Sequence, residues 1–216
     1  MICAAFLAAI ASGAAAADPA PREPVWVTRP GPGDLERATP EAGRAAGGAA
    51  SVGCEVARDG ALVACAIRSE QPEGAGFGDA ALSLVSKMRM QPNWSDGSPA
   101  AGAHLLLPFS FKASPPLLQV RGRRGGTFAG AGPYYPERAY SKGISGEAAI
   151  DCLLSADGRL QDCNAAWEAP TGENFADAAR VMAKAQAITA TPRLVDNQPI
   201  ADERVRVIVP FGAARH

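Results

Sequence analysis

Two stretches of the chain alternate apolar and polar residues on either side of an Asp-Gly pair, at Asp59-Gly60 and at Asp157-Gly158. Asp-Gly between alternating runs is the strongest short hairpin signal. It predicts strands over 49–57 and 62–70 in the first case and the matching pair in the second. Beyond each hairpin the period lengthens. Phe77, Ala80, Ala81, Leu84, Val85 and Met88 fall on one helical face, and Phe175, Ala178, Met182, Ala185 and Ile188 repeat the stripe. Stripes of Phe, Met and Ala at this spacing are core-forming. Gly76 and Asn174 stand as N-caps, with Asp79 and Asp177 three residues on. Pro92 and Pro192 lie past the stripes and are read as helix stops. A last strand closes each part, over 103–111 and 203–211. In the second, Arg204 and Arg206 alternate with Val205 and Val207. Each part therefore reads β-β-α-β, an α+β unit whose antiparallel sheet carries one packed helix.

The two parts are copies. Cys54 and Cys65 are 11 residues apart, as are Cys152 and Cys163, and Glu70, Pro72, Gly74, Phe77 and Asp79 recur 98 residues later. After the helix the offset reads 100 (Pro92 with Pro192, Asp96 with Asp196), and then 102 (Pro108-Phe109 with Pro210-Phe211). Upstream, Pro40 matches Pro136, while Asp34–Ala38 reads as a degenerate counterpart of the turn at Pro136-Glu137-Arg138-Ala139. An ordered series of this kind is a tandem duplication. It divides the chain into a leader (1–17), a first domain (24–113), a Pro/Gly-rich linker (114–132) and a second domain (133–213).

Across a two-residue Asp-Gly turn, Cys54 falls opposite Cys65 and Cys152 opposite Cys163, within disulfide reach. A type I turn with a bulge would shift the register by one residue and leave each pair diagonal. Four cysteines after an apolar, small-residue leader favour disulfides in an exported chain. Cys3 would depart with that leader. The spacing is not that of a zinc site, and no C-x-x-C redox pair occurs.

Composition adds exclusions. The net charge is −1, from 21 Lys+Arg and 22 Asp+Glu, which argues against nucleic acid as a partner. Aromatics make up 6%, so the cores must be built from small aliphatic residues. His104 is the one histidine of the predicted domains and sits on a final strand, where it is a surface residue more often than a base. No nucleophile has a partner in sight, so neither an enzyme nor a cofactor is expected. Arg121-Gly122-Arg123-Arg124 reads as solvated linker. Trp26 is expected to be accessible, with Trp94 and Trp167 packed against their helices.

The order of motifs resembles the C-terminal domain of the TonB family. It is carried by Tyr135-Pro136-Glu137-Arg138-Ala139, Gly146, Asp157-Gly158, the Ala178-Ala179 helix, Asp196-Asn197-Gln198-Pro199 and Val209-Pro210-Phe211. The first half matches from Gly48 through Phe111. The resemblance implies two tandem TonB/TolA C-terminal-like domains in the periplasm of a Gram-negative envelope, acting as a protein-binding module in envelope transport. In that family the final strand is an edge that accepts a strand from an outer-membrane receptor. The implied edge residues are Leu105, Leu107 and Phe109, and Val205, Val207 and Val209. The partner would be such a receptor or another envelope protein, with membrane contact confined to the N-terminus. The alternative is an energy transducer whose N-terminal anchor is truncated or uncleaved.

Overall fold

The structure is a computed structural model, and it describes residues 22–122, 132–196, 198–199 and 202–212. The leader and the Arg123-Arg124 part of the basic cluster lie outside the described residues. The first half holds β1 (Pro24–Thr28), α1 (Pro32–Ala38), α2 (Glu41–Arg44), β2 (Gly48–Val56), β3 (Leu62–Gln71), α3 (Phe77–Val85), β4 (Arg89–Trp94) and β5 (His104–Phe111). Then come β6 (Leu117–Leu118), β7 (Val120–Gly122), α4 (Glu137–Ser141), β8 (Gly146–Leu154), β9 (Leu160–Ala169) and α5 (Phe175–Lys184). The chain ends with β10 (Ile188–Ala190), β11 (Leu194–Val195), β12 (Gln198–Pro199) and β13 (Glu203–Phe211). The protein is mixed α+β. One sheet has the order β3-β2-β5 and the other β9-β8-β13-β6, antiparallel throughout except where β6 runs parallel to β13.

Both hairpins form, and both disulfides close across them, with Cα atoms 4.2 Å apart for Cys54–Cys65 and 4.1 Å for Cys152–Cys163. The register reaches this geometry in two steps. Gly60 sits at φ +81, and the Ala57 and Gly60 N–H groups bond to Ala61 O and Ala57 O, so the turn is type I with a glycine bulge. Val56 therefore faces Leu62 and Glu55 faces Val63, a register that leaves the cysteines diagonal. Ala64, at φ 49, is then an extra residue in β3, and beyond it Gly53 faces Ala66. This second bulge restores the opposition of the sulfurs. The second half repeats both steps, with Gly158 at φ +82 and Asp162 at φ 45. A Cβ on Gly60 would collide with Met90 O, and one on Gly158 with Ala190 O. These two glycines thus serve both the turn and the close approach of β4 and β10.

β4 and β10 are the elements that the sequence pattern did not announce. β1 pairs with β4, and β7 pairs with β10, so each half carries an accessory two-stranded ladder. β7 lies within the segment read as a linker, which therefore contributes strands to the second half. The helices also end earlier than the prolines suggested. α3 stops at Val85, well before Pro92. α5 stops because Gln186 turns to φ 54 and the Ala187 N–H bonds back to Met182 O.

The helix starts correct a second expectation. Gly76 and Asn174 are the N-caps, but both are left-handed and the Asn174 side chain makes no cap bond. The cap comes instead from a strand glutamate. Glu70 Oε1 accepts the Phe77 N–H at 2.9 Å, and Glu168 Oε2 accepts the Ala176 N–H at 3.0 Å.

One core lies between each sheet and its helix. In the first half Phe77 stacks on Phe111 beside Ala50, Val52, Leu84 and Leu107. In the second, Phe175 stacks on Phe211 beside Ile150, Met182 and Val207. Gly48 faces Phe111 as Gly146 faces Phe211. The offset of 100 therefore persists to the end of the chain: Phe111 matches Phe211, and the apparent match of Pro108-Phe109 with Pro210-Phe211 is out of register by two. Upstream, Pro40 caps α2 as Pro136 caps α4. The turn at Pro136 is thus matched by α2, so α1, which holds Asp34–Ala38, is not its counterpart.

Candidate strand-addition edges and the interface between the halves

β5 and β13 each have one long side hydrogen-bonded to the first strand of their own hairpin. Their inward side chains are core. Leu107 and Phe109 are buried and Leu105 half-buried, while Val205, Val207 and Val209 are buried. These six residues hold the strands in place. What an added strand would meet is the outer backbone edge and the alternate residues.

The two edges differ. On β13 the outer edge is occupied by β6, with Leu117 beside Arg206 and Leu118 beside Val207 in parallel register. The Arg206 N–H donates to Pro116 O at 2.8 Å. On β5 no strand occupies the outer edge among the described residues. Its outward residues His104, Leu106, Pro108 and Ser110 are exposed, Leu106 by 65%.

The sheet faces away from the helices differ in the same sense. α1 touches both β8 and β9, so it covers the second sheet. Its approach is close enough that a Cβ on Gly33 would collide with Glu147 Oε1. Arg37 of α1 pairs with Glu147. Glu36, 8% exposed, joins the two halves: one oxygen meets Arg44 and accepts the Ser114 hydroxyl at 2.8 Å, and the other meets Arg206 at 2.7 Å. Arg206 in turn grips Asp151 with two bonds of 2.7 and 2.8 Å. Burial disfavours the Arg206 charge, but Asp151 and Glu36 outweigh it and hold the guanidinium protonated more firmly than usual. Under α1, Ala149 is buried opposite Trp167. Trp167 therefore sits on the sheet face opposite α5, not packed on its helix as expected.

On the first sheet the matching positions are Gly53 opposite Leu106, where the second half has Asp151 opposite Arg206. Ser51 and Ser69 stand where Ala149 and Trp167 lie, and their hydroxyls share a hydrogen bond of 2.6 Å. Nothing docks there among the described residues. Trp26 is half-buried between β4 and the core, with Arg29 over its ring, so it is less accessible than its position suggested. The ion-pair network was missed in sequence because its members are far apart. One sign was present in Arg204 and Arg206, two cations on a strand that otherwise alternates valines.

Comparison with known proteins adds one partial likeness. An uncharacterized protein of Caulobacter vibrioides is 39% identical over 59 residues, which is 27% of this chain and 59% of that relative. The chain thus spans less than two thirds of that relative. No family matches the chain, and no solved structure does.

Proposed function

We propose that this chain is an exported binding module of the Gram-negative periplasm that takes up an extended segment of a partner on the outer edge of β5. The observation that carries this reading is the contrast between the final strands: β13 has its edge filled from within the chain, and β5 has none of the described residues on its edge. An edge strand offers a row of backbone donors and acceptors, and a peptide that pairs with it gains affinity from the main chain and specificity from alternate side chains. Two further points support it. The order of motifs resembles that of TonB C-terminal domains, whose final strand serves this purpose toward outer-membrane receptors. The two hairpin disulfides fit an oxidising, exported compartment. The partner on this reading is an outer-membrane receptor or another envelope protein with an accessible extended segment.

The test is photocrosslinking in the intact envelope from the exposed positions 104, 106 and 110 of β5, with positions 204 and 210 of β13 in parallel. Adducts from β5 that map to one partner segment, with β13 silent, are expected. Adducts from neither strand would sink the reading.

A further inference from the structure

The chain carries its own example of what this kind of edge accepts. We propose that the β5 seat takes a short extended segment in which a proline precedes two large aliphatic residues, running parallel to β5. The inference rests on the strand-addition reading above and adds the chemistry and direction of the occupant.

Pro116-Leu117-Leu118 fills the seat on β13: Pro116 O accepts the Arg206 N–H, and Leu117 and Leu118 lie half-buried beside Arg206 and Val207. The corresponding positions on β5 are Leu106 and Leu107, because Leu106 faces Gly53 as Arg206 faces Asp151. The Leu106 N–H therefore points to the outer edge, as that of Arg206 does. A leading proline suits the seat, since its fixed φ holds the segment extended and lowers the entropy lost on docking.

Three features of the first half shape the occupant. First, Leu106 stands where β13 has Arg206, so the strand that borders the seat presents an apolar side chain in place of a guanidinium. Second, Pro108 has the same orientation as Leu106 but no N–H to give, which confines the added strand to the 104–107 part of β5. The occupant must be short, as β6 is. Third, the described start of this chain is engaged elsewhere. Glu23 and Ser95 exchange hydrogen bonds, and Arg22 pairs with Asp96, so residues 22–24 run along β4 and not onto β5. Among the described residues nothing fills the seat, and its occupant is a segment supplied in trans.

The test uses the full chain and a fluorescent peptide of sequence Ser-Pro-Pro-Leu-Leu-Gln-Val, with three controls: the reversed sequence, a version with both leucines as serine, and one N-methylated at both leucine amides. Saturable binding is expected for the first peptide, at least tenfold weaker binding for each control, and a photocrosslink to position 106. Leu106→Pro, which removes an outward N–H and leaves the ladder to β2 intact, should weaken binding by at least tenfold with an unchanged circular dichroism spectrum. If that variant fails to fold, the N-methylated peptide still removes the same class of bond from the other side. Equal binding of the reversed peptide overturns the proposal, and so does a crosslink to β13 in place of β5. If the peptide does not bind while envelope crosslinking from β5 traps a partner segment, the occupant chemistry is wrong and strand addition stands. If both fail, both readings fall.

Discussion

The two sheets share one plan, yet the outer face of one is covered and that of the other carries nothing among the described residues. On the second sheet, Arg206 and Asp151 receive Glu36, and α1 lies over Ala149 and Trp167. On the first, the same positions are Leu106, Gly53, Ser51 and Ser69, and nothing lies over them among the described residues. The final strands diverge in parallel, β13 being lined by β6 and β5 left open. The two seats share one backbone plan, and one of them is closed as an internal joint. Both hairpins keep the same turn, second bulge and disulfide, so the framework is shared even where core and surface residues differ.

The joint is where this contrast is most easily broken. Glu36→Gln leaves Arg44 and Arg206 buried without their shared carboxylate. Breaking a buried pair from one side costs about 3–5 kcal/mol. Urea unfolding of the variant should shift by that amount and separate into two transitions, one for each half. A single unshifted transition would mean that the halves are joined by something other than Glu36.

The next effect tests what the halves share. Replacing Cys54 and Cys65 with serine, or Cys152 and Cys163, opens a loop of the same length in each case. The chain-entropy account assigns about 3 kcal/mol to a loop of that size. The two double variants should lose equal stability in thermal melts. Unequal losses would show that one hairpin is held by its neighbours and the other by its sulfur bridge.

A smaller effect compares the strand glutamates that cap α3 and α5. Glu70→Ala and Glu168→Ala should each cost about 1 kcal/mol, as lost helix caps do. Glu168 adds a pH signature. Its burial raises the carboxyl pKa, but bonds from the Ala176, Gly172, Asn174 and Glu173 N–H groups more than reverse this, leaving it below the ordinary value of 4.5. Because the folded value is depressed, the stabilisation is present above pH 4.5 and is lost as pH falls through the folded value. Denaturant melts from pH 6 down to about pH 3 should show that loss in the native protein, and a smaller one in Glu168→Ala.

The smallest effect comes from grafting the joint. Leu106→Arg with Gly53→Asp gives the first sheet the ion pair of the second. A Cβ on Gly53 would crowd only the Arg68 side chain, which is flexible and can swing aside. Stability should change by no more than about 0.5 kcal/mol, as surface pairs do. Peptide binding to β5 should persist, because β13 seats Pro116-Leu117-Leu118 beside the same pair.

Much of this was legible in sequence and some was not, for reasons of range. The hairpins, the helices and the cysteine pairs depend on residues within about a dozen positions of one another, and periodicity reports such contacts. The register needed Ala64 and Asp162 in left-handed geometry, which no residue type at those positions announces. β4 and β10 were hidden because each is short and its partner lies far off in sequence. The six edge residues do lie on the final strands, but sequence could not say that Leu117 and Leu118, inside an apparent linker, would lie on one edge and leave the other free. Glu36 and Arg206 are 170 residues apart, and neither stands out alone.

That separation sets an order of events. A chain threaded across a membrane N-terminus first presents α1 before β13 exists. Glu36 can find Arg44 as soon as the first half emerges, but its other oxygen and the inner side of α1 must wait for β13. Through that interval α1 rests on α3 and on the first core through Leu35 and Ala38, while its side facing the second sheet stays uncovered. Long-range pairings of this kind are the slow and exposed steps of folding. The joint between the halves thus closes last, and a chain cut short before β13 would leave its early half folded with one side of α1 uncovered.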